Sequence, residues 1–199
     1  MVKKMVELIR QNYKNNKKIY DRVKKQLQDE LDSNIPIDHV GSTAIVNMYG
    51  KNIIDILIGA KDKDEFEYIK SVIEKNGFIA SLKSSNDIYQ FFSSTSGETA
   101  SGDVHIHLVI KNTEMYLEFL ILKYYLQHNK FEAKKYSDFK RKLVSSGVKD
   151  RKEYKKEKSE YVLELLKRAK EYCNQNQKFK LLNTKVNNNK NTDMCKIII

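Results

Sequence analysis

The sequence of 199 residues is poor in the residues that usually interrupt or cross-link a chain. It contains one proline, seven glycines, two cysteines and no tryptophan. A single proline leaves long helices largely uninterrupted, because proline is the residue that breaks a helix most effectively. Two cysteines near the C-terminus exclude a disulfide framework, a cysteine-rich zinc site and a Cys-x-x-Cys redox motif, and they favour a reducing cytoplasm.

Long hydrophobic runs are also missing. No run approaches the roughly 18 residues of a membrane span, and the N-terminus is charged from Lys3 onward without the apolar segment of a secretory signal. We therefore expect a cytoplasmic protein with no membrane partner. The P-loop, the dinucleotide-binding glycine pattern, the nucleophile elbow and the zinc-protease motif do not occur either, which argues against those enzyme classes.

Positive charge is concentrated toward the two ends of the chain. Residues 123–180 contain eighteen basic and eight acidic side chains, whereas residues 31–122 contain seven basic and thirteen acidic ones. Basic surfaces attract phosphate-rich partners such as nucleotides, nucleic acid or anionic lipid. The alternative is that most of these lysines cover the solvated faces of helices.

Length, hydrophobic periodicity and the order of strands and helices agree with a single α/β (α+β) domain over residues 1–172. The strand candidates lie within about 37–110 and the C-terminal helices within about 114–172. The predicted strands are 37–40, 52–59, 78–82, 88–93 and 103–110; the predicted helices are 2–32, 63–76, 114–128, 131–144 and 152–172. Residues 94–102 read as a polar loop, and 173–199, rich in asparagine, as a disordered tail.

Strict alternation in the last strand separates two sets of side chains. Val104, Ile106 and Leu108 should face one side of the sheet, and His105 and His107 the other. In the helices that follow, Tyr136-x-x-x-Lys140 recurs as Tyr154-x-x-x-Lys158, each followed by an apolar stripe.

The segment His39-Val40-Gly41-Ser42-Thr43-Ala44 follows a β-like stretch, and Asp55 lies inside the next strand. A glycine lets backbone N–H groups approach a phosphate closely, and the Ser42 hydroxyl adds a donor. A carboxylate supplies the oxygen ligand that Mg²⁺ prefers. An aspartate in an apolar strand is costly unless it is paired or binds a ligand. The pattern therefore predicts a phosphate and metal site.

Twelve residues separate Ser42 from Asp55, a spacing that resembles the nucleotidyltransferase (DNA polymerase β-like) superfamily. The resemblance is closer to the GrpB family of small proteins with that fold, and it extends from about residue 20 to 172. It implies a small mixed sheet at about 37–110, flanked by helices, with a C-terminal helical bundle at about 114–172. Its matching residues are His39, Val40, Gly41, Ser42, Thr43, Ala44, Lys51, Ile53, Ile54, Asp55, Ile56, His105, His107, Tyr125, Leu126, Tyr136, Lys140, Tyr154 and Lys158.

The resemblance implies a metal-dependent nucleotidyltransferase that binds a nucleoside triphosphate and transfers a nucleotidyl group to an acceptor that the sequence does not identify. The implied catalytic residues are Asp55, Ser42 and Lys51. The implied substrate-binding residues are Gly41, Ser42, Thr43, Lys51, Lys123, Lys140 and Lys158. The implied ligands of a divalent ion, Mg²⁺ or Mn²⁺, are Asp55, His105 and His107.

Three alternatives stay open at this point. Leu57 stands where the superfamily has a second carboxylate, which favours a non-catalytic nucleotide- or RNA-binding module of the same fold. His39 is either a ligand or a packing residue that orients the Gly-Ser turn. Lys123, Lys140 and Lys158 either point toward phosphate or extend into solvent. If His105 and His107 are ligands, they favour Mn²⁺ or Zn²⁺ over Mg²⁺.

Overall fold

A computed structural model describes residues 6–94, 103–146 and 151–175 of the chain. The strands are β1 (Ile9–Arg10), β2 (Ile37–Val40), β3 (Tyr49–Gly50), β4 (Ile53–Ala60), β5 (Phe78–Asn86), β6 (Tyr89–Ser94) and β7 (Asp103–Ile110). The helices are α1 (Tyr13–Gln28), α2 (Lys63–Lys75), α3 (Glu114–His128), α4 (Lys130–Ser145) and α5 (Arg151–Gln175). No helix in these ranges is long and apolar enough to cross a membrane.

Five strands form a mixed sheet in the order β2-β4-β7-β6-β5. The central strands β4 and β7 are parallel, and the other three pairs are antiparallel. The parallel register places Asp55 beside His105 and Leu57 beside His107. The predicted fold class, a mixed sheet flanked by helices with a C-terminal helical bundle, is therefore confirmed.

One face of the sheet is closed by α1 and α2. Alternation sends Ile54, Ile56 and Ile58 of β4 to this face, together with the aliphatic residues of β7. They pack against Leu27 of α1 and Ile69 of α2, and all of these β4 and helix side chains are fully buried. This face contains a continuous apolar core.

The opposite face is covered by α3, α4 and α5, and only part of it is packed. Leu57 and Val109 join a second core with Met115, Ile121 and Leu165. Asp55, His105 and His107 point to the same side, as the predicted alternation of β7 requires, and a cavity lies over them. The sheet therefore separates a closed core from a partly open one.

The helix predicted over 2–32 begins, within the described residues, only at Tyr13. Asn12 caps it by accepting a hydrogen bond from the Asn15 backbone N–H. Just before the cap, β1 pairs with β3, and the Gln11 side chain donates to the Gly50 carbonyl at 2.8 Å. The pairing joins residues about forty positions apart, so local periodicity did not predict β1 or β3.

The other boundaries differ from prediction at a few ends. β5 continues to Asn86 because it forms a long hairpin with β6. The three C-terminal helices match their predicted ranges within one residue, except that α5 runs three residues further, to Gln175, and includes the buried Cys173. The rest of the predicted tail, 176–199, and residues 95–102 of the predicted loop lie outside the described residues.

Candidate functional site

The Gly41-Ser42 turn lies directly against Asp55. Gly41 has φ 70° and ψ −170°, a conformation that residues with a side chain rarely adopt. A Cβ at this position would overlap the Asp55 carboxylate. Glycine therefore allows the turn to approach the carboxylate, as the sequence pattern predicted.

His39 and Thr43 hold this turn from the other side of the sheet. His39 pairs with Ile56, so its ring faces α1, where it stacks on Tyr20 at a centroid distance of 4.9 Å. Its Nε2 lies 2.9 Å from the Thr43 hydroxyl, and both side chains are buried. Burial lowers the pKa of His39 to about 4, which keeps the ring neutral near pH 7.

Of the two roles left open for His39, the structure therefore favours packing that orients the turn. The same geometry places the side chain of Thr43, which the sequence predicted to bind substrate, away from the cavity. The Thr43 side chain is fully buried against His39 and does not line the cavity, whereas Gly41 and Ser42 do. A side chain without access to the cavity can support the turn but cannot contact a ligand there.

Asp55 faces both imidazoles. Its Oδ1 lies 3.5 Å from His105 Nδ1 and 3.7 Å from His107 Nε2. Burial tends to raise the pKa of Asp55, but the two histidines outweigh it and bring that pKa below its usual range. The hydroxyl of buried Tyr89, which sequence reasoning missed, lies 3.0 Å from His107 Nδ1 and fixes the ring orientation. Asp55 is thus an ionised carboxylate.

A cavity of about 430 Å³ opens above these residues. Its walls combine an apolar part with positive charge, and its two carboxylates belong to Asp55 and Glu118. The apolar part includes Phe91, Phe119, Leu122, Leu126, Val162 and Leu166. The positive charge comes from Lys51, Lys123, Lys140, Lys155 and Lys158.

Lys140 lies in the protein interior, at the wall of the cavity. Only 2% of it is exposed, and its Nζ donates a hydrogen bond of 2.8 Å to the Ser42 hydroxyl. The ammonium group also lies over the Tyr136 ring, 4.4 Å from its centroid. Burial and repulsion from Lys158 lower the pKa of Lys140 to about 7, although Asp55 acts in the opposite direction. The solvated alternative is therefore wrong for Lys140.

Lys158 approaches the same corner of the cavity from α5. Burial is the largest cause that lowers its pKa, and Asp55 partly offsets it. Among the described residues, neither Lys140 nor Lys158 forms an ion pair with a carboxylate. The repeated Tyr-x-x-x-Lys pattern thus places two lysines of neighbouring helices at one corner, and Tyr136 and Tyr154 are the buried residues one turn before them.

The other two predicted lysines differ from this pair. Lys123 forms an ion pair of 3.0 Å with Asp38 on β2, so its charge is already compensated. Lys51 lies over the Tyr154 ring at 5.4 Å from its centroid and lines the cavity. Lys155, three residues before Lys158 in α5, lines the cavity as well, and sequence reasoning missed it. Its place in a lysine-rich stretch of α5 was the available signal.

The predicted metal site can be tested against the donor atoms present. Two-ion catalysis needs two or three carboxylates, but Leu57 is fully buried in the core, and Asp38 beside it is paired with Lys123. No three His, Cys, Asp or Glu side chains in the described ranges are arranged to hold an ion. Asp55, His105 and His107 come together, yet the donor set does not fit a two-ion, oxygen-rich site.

Comparison with known proteins gives consistent matches. A family model described as GrpB protein matches residues 6–168. A UPF0157 protein of Halalkalibacterium halodurans is 29% identical over 154 residues, which are 76% of this chain and 76% of that protein. Glutamate-rich protein GrpB of Alkalihalophilus pseudofirmus is 27% identical over 155 residues, 76% of this chain and 89% of that protein.

A solved structure of a GrpB protein agrees with the fold. The conserved protein GrpB from Enterococcus faecalis superposes with a TM-score of 0.71 and 20% identity, over 83% of this chain and 99% of that chain. A poly(U) polymerase, Cid1, matches with a TM-score of 0.36 and 13% identity, over 58% of this chain and 40% of that chain. The second match is too partial to bear on activity or substrate.

Proposed function

The chain belongs to the GrpB family, and from this premise we propose that its cavity binds a nucleoside triphosphate with the phosphates against Ser42, Lys140 and Lys158. The main support is the buried ammonium group of Lys140, which donates to Ser42 and pairs with no carboxylate of the described residues. Removing a charge from water is costly unless an opposite charge compensates it. A phosphate at this corner would compensate both lysines.

The shape and lining of the cavity support the nucleoside part of the proposal. A volume of about 430 Å³ falls within the range of roughly 300–1,000 Å³ that is usual for small-molecule sites. Away from the lysines, Phe91, Phe119 and Leu122 offer apolar surface on which a base can be buried. The charged corner and the apolar wall thus correspond to the two halves of a nucleotide.

Nucleotidyl transfer is the reaction that we propose for the bound triphosphate, with an acceptor still to be identified. Catalysis of this reaction is mostly positioning and charge stabilisation. Ser42 and the two lysines would hold the phosphates, and Lys51 would add positive charge at the cavity wall. Asp55, kept ionised, would accept a hydrogen bond from the attacking hydroxyl of the acceptor.

A second candidate, a non-catalytic nucleotide- or RNA-binding module, is favoured by one observation. Leu57 is fully buried among Val40 and other core residues, so β4 contributes a single carboxylate to the cavity. RNA binding through many phosphate contacts would weaken steeply as salt rises, whereas binding in one pocket would depend less on salt. Salt dependence therefore separates RNA binding from nucleotide binding.

The decisive experiment is a thermal-shift titration with the four nucleoside triphosphates, each with MgCl₂, MnCl₂ or EDTA. A ligand at 100 times its dissociation constant adds about 2.7 kcal/mol of stability, which such an experiment resolves. We expect at least one triphosphate to stabilise the wild type and Lys142→Met, and to stabilise Lys140→Met clearly less. Lys142 is exposed on the same helix and serves as the matched control.

Two results would contradict the proposal. One is the absence of a shift with every triphosphate in a folded wild-type protein, and the other is an unchanged shift in Lys140→Met. Release of pyrophosphate upon addition of an acceptor, lost in Asp55→Asn, would then distinguish nucleotidyl transfer from binding alone.

A further inference from the structure

The cavity is lined by more lysines than carboxylates. Two of its charged groups are already paired: Lys123 with Asp38, and Glu118 with Lys170 at 2.7 Å. Asp55 is faced by two imidazoles. This leaves Lys140 and Lys158 without an ion-paired carboxylate among the described residues, and Asp55 offsets their positive charge only in part.

The side of the cavity that is formed by the sheet lacks oxygen ligands for a second cation. Leu57, two residues after Asp55 on the same face of β4, is 0% exposed and packed in the core. The cross-strand carboxylate at this position, Asp38, is held 3.0 Å from the Lys123 ammonium nitrogen. The cavity therefore has lysines of α4 and α5 that supply positive charge, but its sheet side has no second carboxylate free to hold a cation.

We infer that phosphate groups bind in this cavity without a divalent cation, because Lys140 and Lys158 supply the charge compensation that metal ions would otherwise provide. This inference rests on the proposed function and extends it to the ionic form of the ligand, the free polyphosphate anion. Ser42, held by Lys140 at 2.8 Å, is the hydroxyl that contacts the same phosphate.

Electrostatics gives the direction of the effect. The ammonium groups of Lys140 and Lys158 repel each other, and an anion that bridges them removes this repulsion. A divalent cation bound to the ligand lowers the ligand's negative charge and adds a further positive charge beside the lysines. The free anion should therefore bind at least as tightly as its magnesium complex.

The test is isothermal titration with two probes, inorganic pyrophosphate and ATP, each in EDTA and in excess MgCl₂. We expect equal or tighter affinity in EDTA. In EDTA, Lys158→Met should weaken pyrophosphate binding by at least about tenfold, since a charge-assisted hydrogen bond contributes that much. Lys156→Met, an exposed residue of the same helix, should bind as the wild type does.

Lys140→Met provides a second variant if Lys158→Met is poorly folded, and thermal unfolding shows which proteins are intact. Binding of both probes only in MgCl₂, or binding in EDTA that survives the loss of both lysines, would overturn the inference. ATP binding that requires MgCl₂ would leave the proposed function standing and remove this inference. Pyrophosphate binding in EDTA without any ATP binding would contradict the proposed function and leave metal-free phosphate binding standing.

Discussion

The two faces of the central sheet are made from the same strands, but one is packed in a closed core and the other is partly open to a cavity. Toward α1 and α2, β4 presents Ile54, Ile56 and Ile58 to a closed apolar core. Toward α3, α4 and α5, the intervening residues are Asp55, Leu57 and Gly59, and part of that face remains a cavity. One strand therefore contributes alternately to the core and to the candidate site.

This difference predicts which substitutions should affect folding and which should affect ligand binding. On the closed face, free energy comes from apolar surface removed from water, and a lost side chain leaves a void. On the open face, Lys140 is buried and Lys158 half-buried, and neither forms an ion pair with a carboxylate of the described residues, which opposes stability. Substitutions on the closed face should thus affect folding, and substitutions on the open face should affect binding.

The largest effect is expected from a void in the closed face. Ile106 is fully buried there, and Ile106→Ala should lower the free energy of unfolding by about 2–5 kcal/mol. Urea unfolding measures this loss. The affinity of the folded fraction for nucleotide should stay at the wild-type value, and a matching loss of affinity would show that the two faces are not independent.

A charge lost on the open face should give the opposite result. Lys140→Met removes a buried charge-assisted donor, so nucleotide affinity should fall by a factor of about 10 to 100. Stability should be unchanged or higher, because an uncompensated buried charge is removed. Parallel titration calorimetry and urea unfolding test this, with Lys142→Met as control; a marked loss of stability would contradict the comparison.

A substitution in the turn should combine both effects. Gly41→Ala places a Cβ against the Asp55 carboxylate at a positive φ, which should cost about 1–3 kcal/mol of stability. Because the turn must shift to relieve the contact, nucleotide affinity should fall as well. Gly77 also has positive φ but has open space around it, so Gly77→Ala is the control for backbone strain alone. Equal affinities for the two variants would contradict this prediction.

The smallest effect is expected from pH. With a pKa of about 7, Lys140 loses its proton as pH rises through neutrality, and phosphate binding needs the charged form. Affinity should therefore decrease by about fivefold between pH 7 and pH 8. Titrations at both values measure the slope, and Lys140→Met should flatten it. A slope that persists in this variant would assign the titration to another group.

The local parts of the fold followed from the sequence. Period-two alternation over residues 103–110 predicted which side chains of β7 share a face. Period-3.6 patterns predicted α3, α4 and α5 within one residue, apart from the end of α5, which lies three residues later. These patterns depend only on the geometry of one strand or one helix. By contrast, β1 pairs with β3 across about forty residues, and nothing local specifies that pairing.

The candidate site divides in the same way. The pattern of a Gly-Ser turn before an apolar strand placed Gly41, Ser42 and Asp55 in one predicted site, and the structure brings the turn to Asp55. The parallel register of β4 and β7 brings His105 to Asp55 as well. The roles of His39 and Lys140 were not predictable from residue type. His39 proved to face α1, and Lys140 proved to be buried, because their surroundings come from distant segments.

The sequence was sufficient to predict the helices, the strands of the main sheet, the two faces of β7 and the Gly-Ser turn followed by an aspartate, and to show the resemblance to the GrpB family. Periodicity and turn chemistry are local, so neighbouring residues suffice to specify them. Only the tertiary structure decided that Lys140 and Lys158, eighteen residues apart on two helices, meet beside Ser42. Burial and charge proximity depend on how helices pack, and packing is a property of the whole chain.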